Sequence, residues 1–207
     1  MSQDTTKLRL FTALELPQPW REDLGRVSAE LGRVGAGDVK PVPPDLMHLT
    51  LVFLGYQDAG SLSRIEAALY SAASQVPPFH LTLGRVGCFG QPHRLQVVWV
   101  GLMTEPPELQ QLHQAIALQL EIMAIPFDRK PLVPHITLAR MRRASDRNTS
   151  RQVYATMQRL SVPTGASTEV TEFVLMESIL SRSGPQYQVV GRFPLTGRRE
   201  SAFSLSP

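Results

Sequence analysis

The chain repeats its order of elements, and that repetition limits its fold more than any other feature of its 207 residues. A buried strand, "LRLFTALEL" (8–16), is followed by apolar residues at Trp20, Leu24, Val27, Leu31 and Val34. Steps of three and four mark an amphipathic helix. A Gly/Pro-rich loop, "GAGDVKPVPPD", leads to the strand "HLTLVFLG" (48–55). Leu62, Ile65, Leu69 and Ala72 outline a second helix, and "FHLTLGRVG" reads as a further strand. The order then begins again. The strand "RLQVVWVGL" precedes a helix started by Pro106-Pro107, since proline suits the first turn. The strand "HITLAR" (135–140) follows, then a helix over about 148–160. Strands at 172–180 and 187–195 close the series. Phe11 to His48 and Val98 to His135 each span 37 residues.

An α+β fold with antiparallel strands follows. The expectation is one bilobal domain over 1–195, with related lobes drawn from about 8–90 and 94–195. Each lobe has its own antiparallel sheet and helices, with a cleft between them. The polar end, 196–207, is expected to be a frayed tail.

Three of the five histidines sit in a His-x-Thr frame: His48, His80 and His135. The repeat separates them. His48 and His135 occupy the same slot, whereas "FHLTLGRV" (79–86) corresponds to "FVLMESIL" (173–180). His80 there aligns with Val174, and Thr82 with Met176. His80 is therefore an exposed or edge-strand residue. His93 and His113 are expected on wet surfaces.

On a strand, residues two apart share a face. His48 thus goes with Thr50, and His135 with Thr137, while Leu49 and Ile136 turn into the core. Two imidazoles on opposite sides of a phosphodiester suit general acid and general base, because their ordinary pKa lies near neutrality. Threonine hydroxyls donate to non-bridging phosphate oxygens. Arg140, three residues beyond Thr137, is a candidate for phosphate contact. Arg142, Arg143, Arg147 and Arg151 continue a basic run that otherwise reads as a solvated surface. Phe11, Tyr56, Trp99 and Tyr187 are either base-stacking or core aromatics.

No CxxC or HExxH spacing occurs, and no metal or cofactor is expected. A single cysteine, Cys88, excludes an internal disulfide and suits a reducing compartment. The net charge of +3 suits an anionic ligand. The N-terminal stretch lacks a long apolar run and a small-residue cleavage pattern, so no signal peptide is expected. No apolar run reaches the roughly 18 residues of a membrane helix. A monomeric, cytoplasmic protein is the expectation.

The motifs together resemble those of the 2H phosphoesterase superfamily, and within it the RNA 2',3'-cyclic phosphodiesterases, also called 2'-5' RNA ligases. The segments are "LRLFTALELP", "MHLTLVFLG", "FHLTLGRVGCFGQP" with "VVWVGL", "VPHITLAR", and "FVLMESIL" with "YQVVGRFPL". They extend from about residue 8 to 195. The resemblance implies metal-independent hydrolysis of an RNA terminal 2',3'-cyclic phosphate to a 2'-phosphate. It implies His48 as proton donor to the leaving oxygen, His135 as proton acceptor from water, and Thr50 and Thr137 as phosphate contacts. Joining of RNA ends through a 2'-5' bond is the reverse option. His80 departs from the family pattern, which commonly lacks histidine there. The alternatives are a phosphodiesterase for a small cyclic phosphate or 2'-5' oligonucleotide, and a non-catalytic RNA-end binder.

Overall fold

A computed structural model describes residues 6–142, 145–181 and 184–198. The first half contains β1 (Lys7–Glu15), α1 (Gln18–Val34), β2 (Val39–Pro41), β3 (His48–Asp58), α2 (Leu62–Ala73) and β4 (Phe79–Gln91). The second contains β5 (Arg94–Leu102), α3 (Pro107–Ile122), β6 (Ile136–Met141), α4 (Arg147–Met157), β7 (Ser167–Val170), β8 (Glu172–Ser181) and β9 (Gly184–Pro194). The helices begin as their sequences require. Prolines occupy the first turns of α1 and α3. The Asp146 carboxylate caps α4, accepting from the backbone N–H groups of Asn148 (3.0 Å) and Thr149 (3.4 Å). Trp20, Leu24, Val27 and Leu31 form the buried stripe of α1.

All strand pairs are antiparallel, in the order β7-β4-β5-β6-β3-β1-β8-β9, with β2 added on β6. The sequence suggests a separate sheet for each half of the repeat, but the strands are exchanged. β4, from the first half, pairs with β5, and β8, from the second, pairs with β1. The helices cross over too. α1 packs on α4, β2 and β6, while α3 packs on α2 and β3. Each half of the sequence therefore contributes to both ends of the sheet.

Three further differences have simple causes. The Gly/Pro loop contains β2, whose Pro41 is tolerated because the strand lies at an edge. β7 is short and largely polar, with no apolar alternation to announce it. The backbone is still paired just past 195: the Thr196 and Gly197 N–H groups donate to the Ala73 and Val76 carbonyls at 3.2 and 3.0 Å. Residues 199–207, the rest of the expected tail, lie outside the described residues, as does Arg143.

The main core lies between the helices and the sheet, around Leu24, Leu49, Ile65, Leu69, Ile116 and Ile136. A small second cluster of Phe11, Ala13, Val174 and Met176 is flanked by Tyr187 and Val189. It underlies one side of the site described next.

Candidate active site

The two ends of the sheet meet at one bridge, Leu49 on β3 opposite Ile136 on β6. Both side chains are 0% exposed. These are the central residues of the two His-x-Thr motifs. The antiparallel register then sets His48 across from Thr137, and Thr50 across from His135. Period two turns all four away from the core that holds Leu49 and Ile136. They line a cleft of about 600 Å³.

A bulge follows each motif. Thr12 and Ala13 of β1 pair with Val52 and Thr50, leaving Leu51 without a partner on β1. Val98 and Trp99 of β5 pair with Ala139 and Thr137, leaving Leu138 likewise. Both leucines are buried. The Thr12 hydroxyl occupies the first irregularity, accepting from Val52 N–H (3.1 Å) and donating to Val52 O (3.4 Å). At the second, Leu138 O accepts from the Ser28 hydroxyl and from Val42 N–H, both at 2.8 Å. These pairings align Thr12, rather than Phe11, with Val98, because the first half has one residue fewer before its histidine. The bulges also reset side-chain parity. Phe53 and Arg140, each five residues after a histidine, line the cleft with the threonines.

The histidines are held alike. His48 Nδ1 lies 2.9 Å from Leu46 O, and His135 Nδ1 lies 2.7 Å from Val133 O. A carbonyl only accepts, so Nδ1 carries the proton of each neutral ring and Nε2 has the lone pair. Aromatic rings flank both. Phe11 and Tyr187 stand 5.0 and 5.1 Å from His48, and Phe89 and Trp99 stand 5.0 and 6.2 Å from His135. Gly87 makes room for the Trp99 indole, since a Cβ there falls 2.4 Å from the ring.

Burial holds the His48 pKa down at about 4, with Arg140 and His135 adding to the effect and the Leu46 carbonyl opposing it. The ring is neutral at pH 7. The unfolded chain takes up this proton near pH 6.5, whereas the folded chain resists it to about 4. The unfolded state therefore binds more protons across that window, and stability falls as pH falls through it. Denaturant midpoints are expected to drop from pH 7 to pH 4, with a shallower drop in His48→Asn. Equal slopes in the two proteins would exclude His48 as the source.

Arg9, Lys40 and Arg140 line the cleft, and no carboxylate is among the described residues that do. Arg9 Nη1 donates to the Ser178 hydroxyl at 3.0 Å. Sequence reasoning singled out Arg140 but missed Arg9, Lys40 and Phe53. Arg9 and Lys40 are brought in from β1 and the edge strand β2, and Phe53 is turned inward by the bulge. Phe11 and Tyr187 are cleft aromatics, and Tyr56 is exposed outside it. His80 is exposed on β4 opposite Glu169 of β7, outside the cleft, and His93 is exposed in the β4–β5 turn. His113 is half-buried rather than wet, and burial lowers its pKa. Arg142, Arg147 and Arg151 are exposed and do not line the cleft.

Among the described residues, no group of three or more His, Cys, Asp or Glu side chains could hold a metal ion. Among them too, no helix is long and apolar enough to cross a membrane.

The family model of the 2'-5' RNA ligase superfamily matches residues 17–180. The chain is 35% identical over 192 residues to an RNA 2',3'-cyclic phosphodiesterase of Escherichia coli, covering 91% of this chain and 97% of that one. It is 32% identical over 181 residues to a protein of the same name from Archaeoglobus fulgidus, covering 87% and 97%. Among solved structures, TT0787 of Thermus thermophilus superposes with a TM-score of 0.76 at 29% identity, covering 93% of this chain and all of that one. Apo LigT of Escherichia coli superposes with a TM-score of 0.69 at 30% identity, covering 92% and 98%.

Proposed function

The chain belongs to the 2'-5' RNA ligase superfamily, and from that membership we propose that it hydrolyses the 2',3'-cyclic phosphate at an RNA end to a 2'-phosphate, without a metal. The observation that carries this proposal is the pair of His-x-Thr motifs joined through Leu49 and Ile136. That seam supports two imidazoles and two hydroxyls acting on one phosphorus.

In this mechanism, His135 Nε2 takes a proton from water as its oxygen attacks phosphorus. The bond from phosphorus to the 3'-oxygen breaks on the opposite side, and His48 Nε2 protonates that oxygen. Water is consumed, a 3'-hydroxyl is left, and the phosphate stays on the 2'-oxygen. Thr50 and Thr137 donate to the non-bridging oxygens, and Arg140 pairs with their charge. Burial keeps the His48 ring neutral at pH 7, yet its part requires a proton. The phosphodiester anion provides the change, because a negative charge beside the ring favours imidazolium and offsets Arg140. The same site runs with an RNA 5'-hydroxyl in place of water, which forms a 2'-5' bond.

The test uses a short RNA with a 2',3'-cyclic phosphate end, incubated with the protein in EDTA. The expected product is heavier by one water and carries a phosphatase-sensitive 2'-phosphate. A cyclic end left intact by folded protein, with metal restored in a parallel sample, overturns the proposal. It would favour another cyclic substrate, or a binding module if the RNA is held tightly without turnover.

A further inference from the structure

Gly25 stands in the interior of α1, where glycine is a poor choice: its backbone loses more freedom on ordering than that of alanine. No positive φ calls for it, because the helix is regular there. The reason lies across the helix surface. A Cβ on Gly25 would fall 2.6 Å from Pro44 Cγ, closer than two carbons approach without something moving. Three residues on along the same face, the Ser28 hydroxyl lies 2.8 Å from both Val42 O and Leu138 O. This face of α1 is the seat of the segment that leads into β3.

Pro44 opens a single 3₁₀ turn, Pro44–Leu46. In it the Leu46 N–H donates to Pro43 O at 3.0 Å, and the Met47 N–H donates to Pro44 O at 3.1 Å. Two adjacent prolines fix φ at the entry of the turn, and the buried Met47 side chain fixes its exit. A proline ring is closed onto its own backbone and cannot swing aside, so whatever displaces the Pro44 ring displaces the turn. The turn ends at the Leu46 carbonyl, which accepts from His48 Nδ1 at 2.9 Å. That bond selects the tautomer of the ring and sets the direction in which Nε2 points. His135 takes the equivalent support from Val133 O.

We infer that Gly25 is a positioning residue for His48: a bare backbone at this point of α1 lets Pro44 seat the turn, and the seated turn holds the Leu46 carbonyl that orients the imidazole. The inference rests on the role proposed for His48 above. It puts one determinant of turnover on a helix residue that does not line the cleft.

Gly25→Ala, Pro44→Ala and the double variant test it. Two quantities are read: kcat at saturating cyclic-ended RNA, and the ring nitrogen resonances of protein labelled with ¹⁵N-histidine, with His48 assigned through His48→Asn. Gly25→Ala should lower kcat by about tenfold or more, since misplacing a reacting group by about 1 Å can cost about 10²-fold. Its His48 Nδ1 resonance should move toward that of a ring exchanging between tautomers, while the His135 resonances stay in place. Pro44→Ala removes the atom that the added Cβ would strike and leaves Pro44 Cβ at 3.5 Å, an ordinary contact. The double variant should therefore recover to within about threefold of Pro44→Ala alone, whereas independent sites would multiply their losses. Wild-type kcat in Gly25→Ala overturns the inference. So does a lower kcat with the His48 resonances unmoved, or a double variant no better than Gly25→Ala. Pro44 is exposed, so Pro44→Ala should fold whether or not Gly25→Ala does. It should shift the same His48 resonance to a smaller extent, and no shift there overturns the inference by itself. A wild type that hydrolyses no cyclic-ended RNA removes the proposed function, and the ring resonances, which need no substrate, still decide whether Gly25 places His48.

Discussion

His135→Ala is expected to lower kcat on a cyclic-ended RNA by about 10²–10⁴-fold, the usual contribution of a positioned proton carrier. His48→Ala should fall by a similar factor. In the proposed mechanism each imidazole serves one end of the same displacement, so losing either leaves the transition state with an uncompensated proton transfer. The double variant should be little worse than the worse single one, because the two residues act as a unit. Both rings line an open cleft rather than the core, so folding should survive and circular dichroism should match wild type. His80→Ala is the control. Its ring is exposed on β4 and outside the cleft, and its kcat should stay close to wild type. A fully active His135→Ala enzyme would sink the two-histidine mechanism.

Leu49→Ala should cost about 2–5 kcal/mol of stability, the range for removing a fully buried leucine. The position is demanding for a second reason. Leu49 and Ile136 form the bridge by which β3 and β6 meet, and each lies between a histidine and a threonine of the cleft. A cavity there loosens the support of four functional groups at once. The variant's kcat should therefore fall at temperatures where the fold is intact, an effect that lost stability alone does not produce. Ile122→Ala, at a side chain 63% exposed on α3, should change stability by less than about 0.5 kcal/mol and leave kcat alone. Urea unfolding and steady-state kinetics on the same preparations check both. A loss below about 1 kcal/mol in Leu49→Ala would refute the role given to the seam.

Much of this was legible in the residues. Apolar periodicity located α1 to α4, and the recurrence of His-x-Thr in matching slots separated His48 and His135 from His80. The inward turn of Leu49 and Ile136 followed from period two. What period two could not supply was the parity change after each motif. A bulge is a backbone event with no fixed residue signature, and two of them place Phe53 and Arg140 on the cleft side. The partners of a strand are equally silent in its own sequence. "LRLFTALEL" reads as a buried strand whether its neighbour is β4 or β8. The exchange of those two strands, which brings Tyr187 of β9 to His48, lies in long-range pairing. Arg9 and Lys40 were missed for the same reason: each is an unremarkable basic residue until the sheet order sets it beside the histidines.

The exchange of strands also governs how the protein is born. Leu10 of β1 pairs with Glu177 of β8. At the usual pace of translation, roughly ten to thirty seconds separate the emergence of those two residues from the ribosome. Until then β1 has only β3 beside it, and the His48 ring lacks Tyr187. A nascent or prematurely terminated chain can present both His-x-Thr motifs and still have no finished wall on the His48 side. The His48 side of the cleft is thus completed only once β8 and β9 have followed both motifs out of the ribosome.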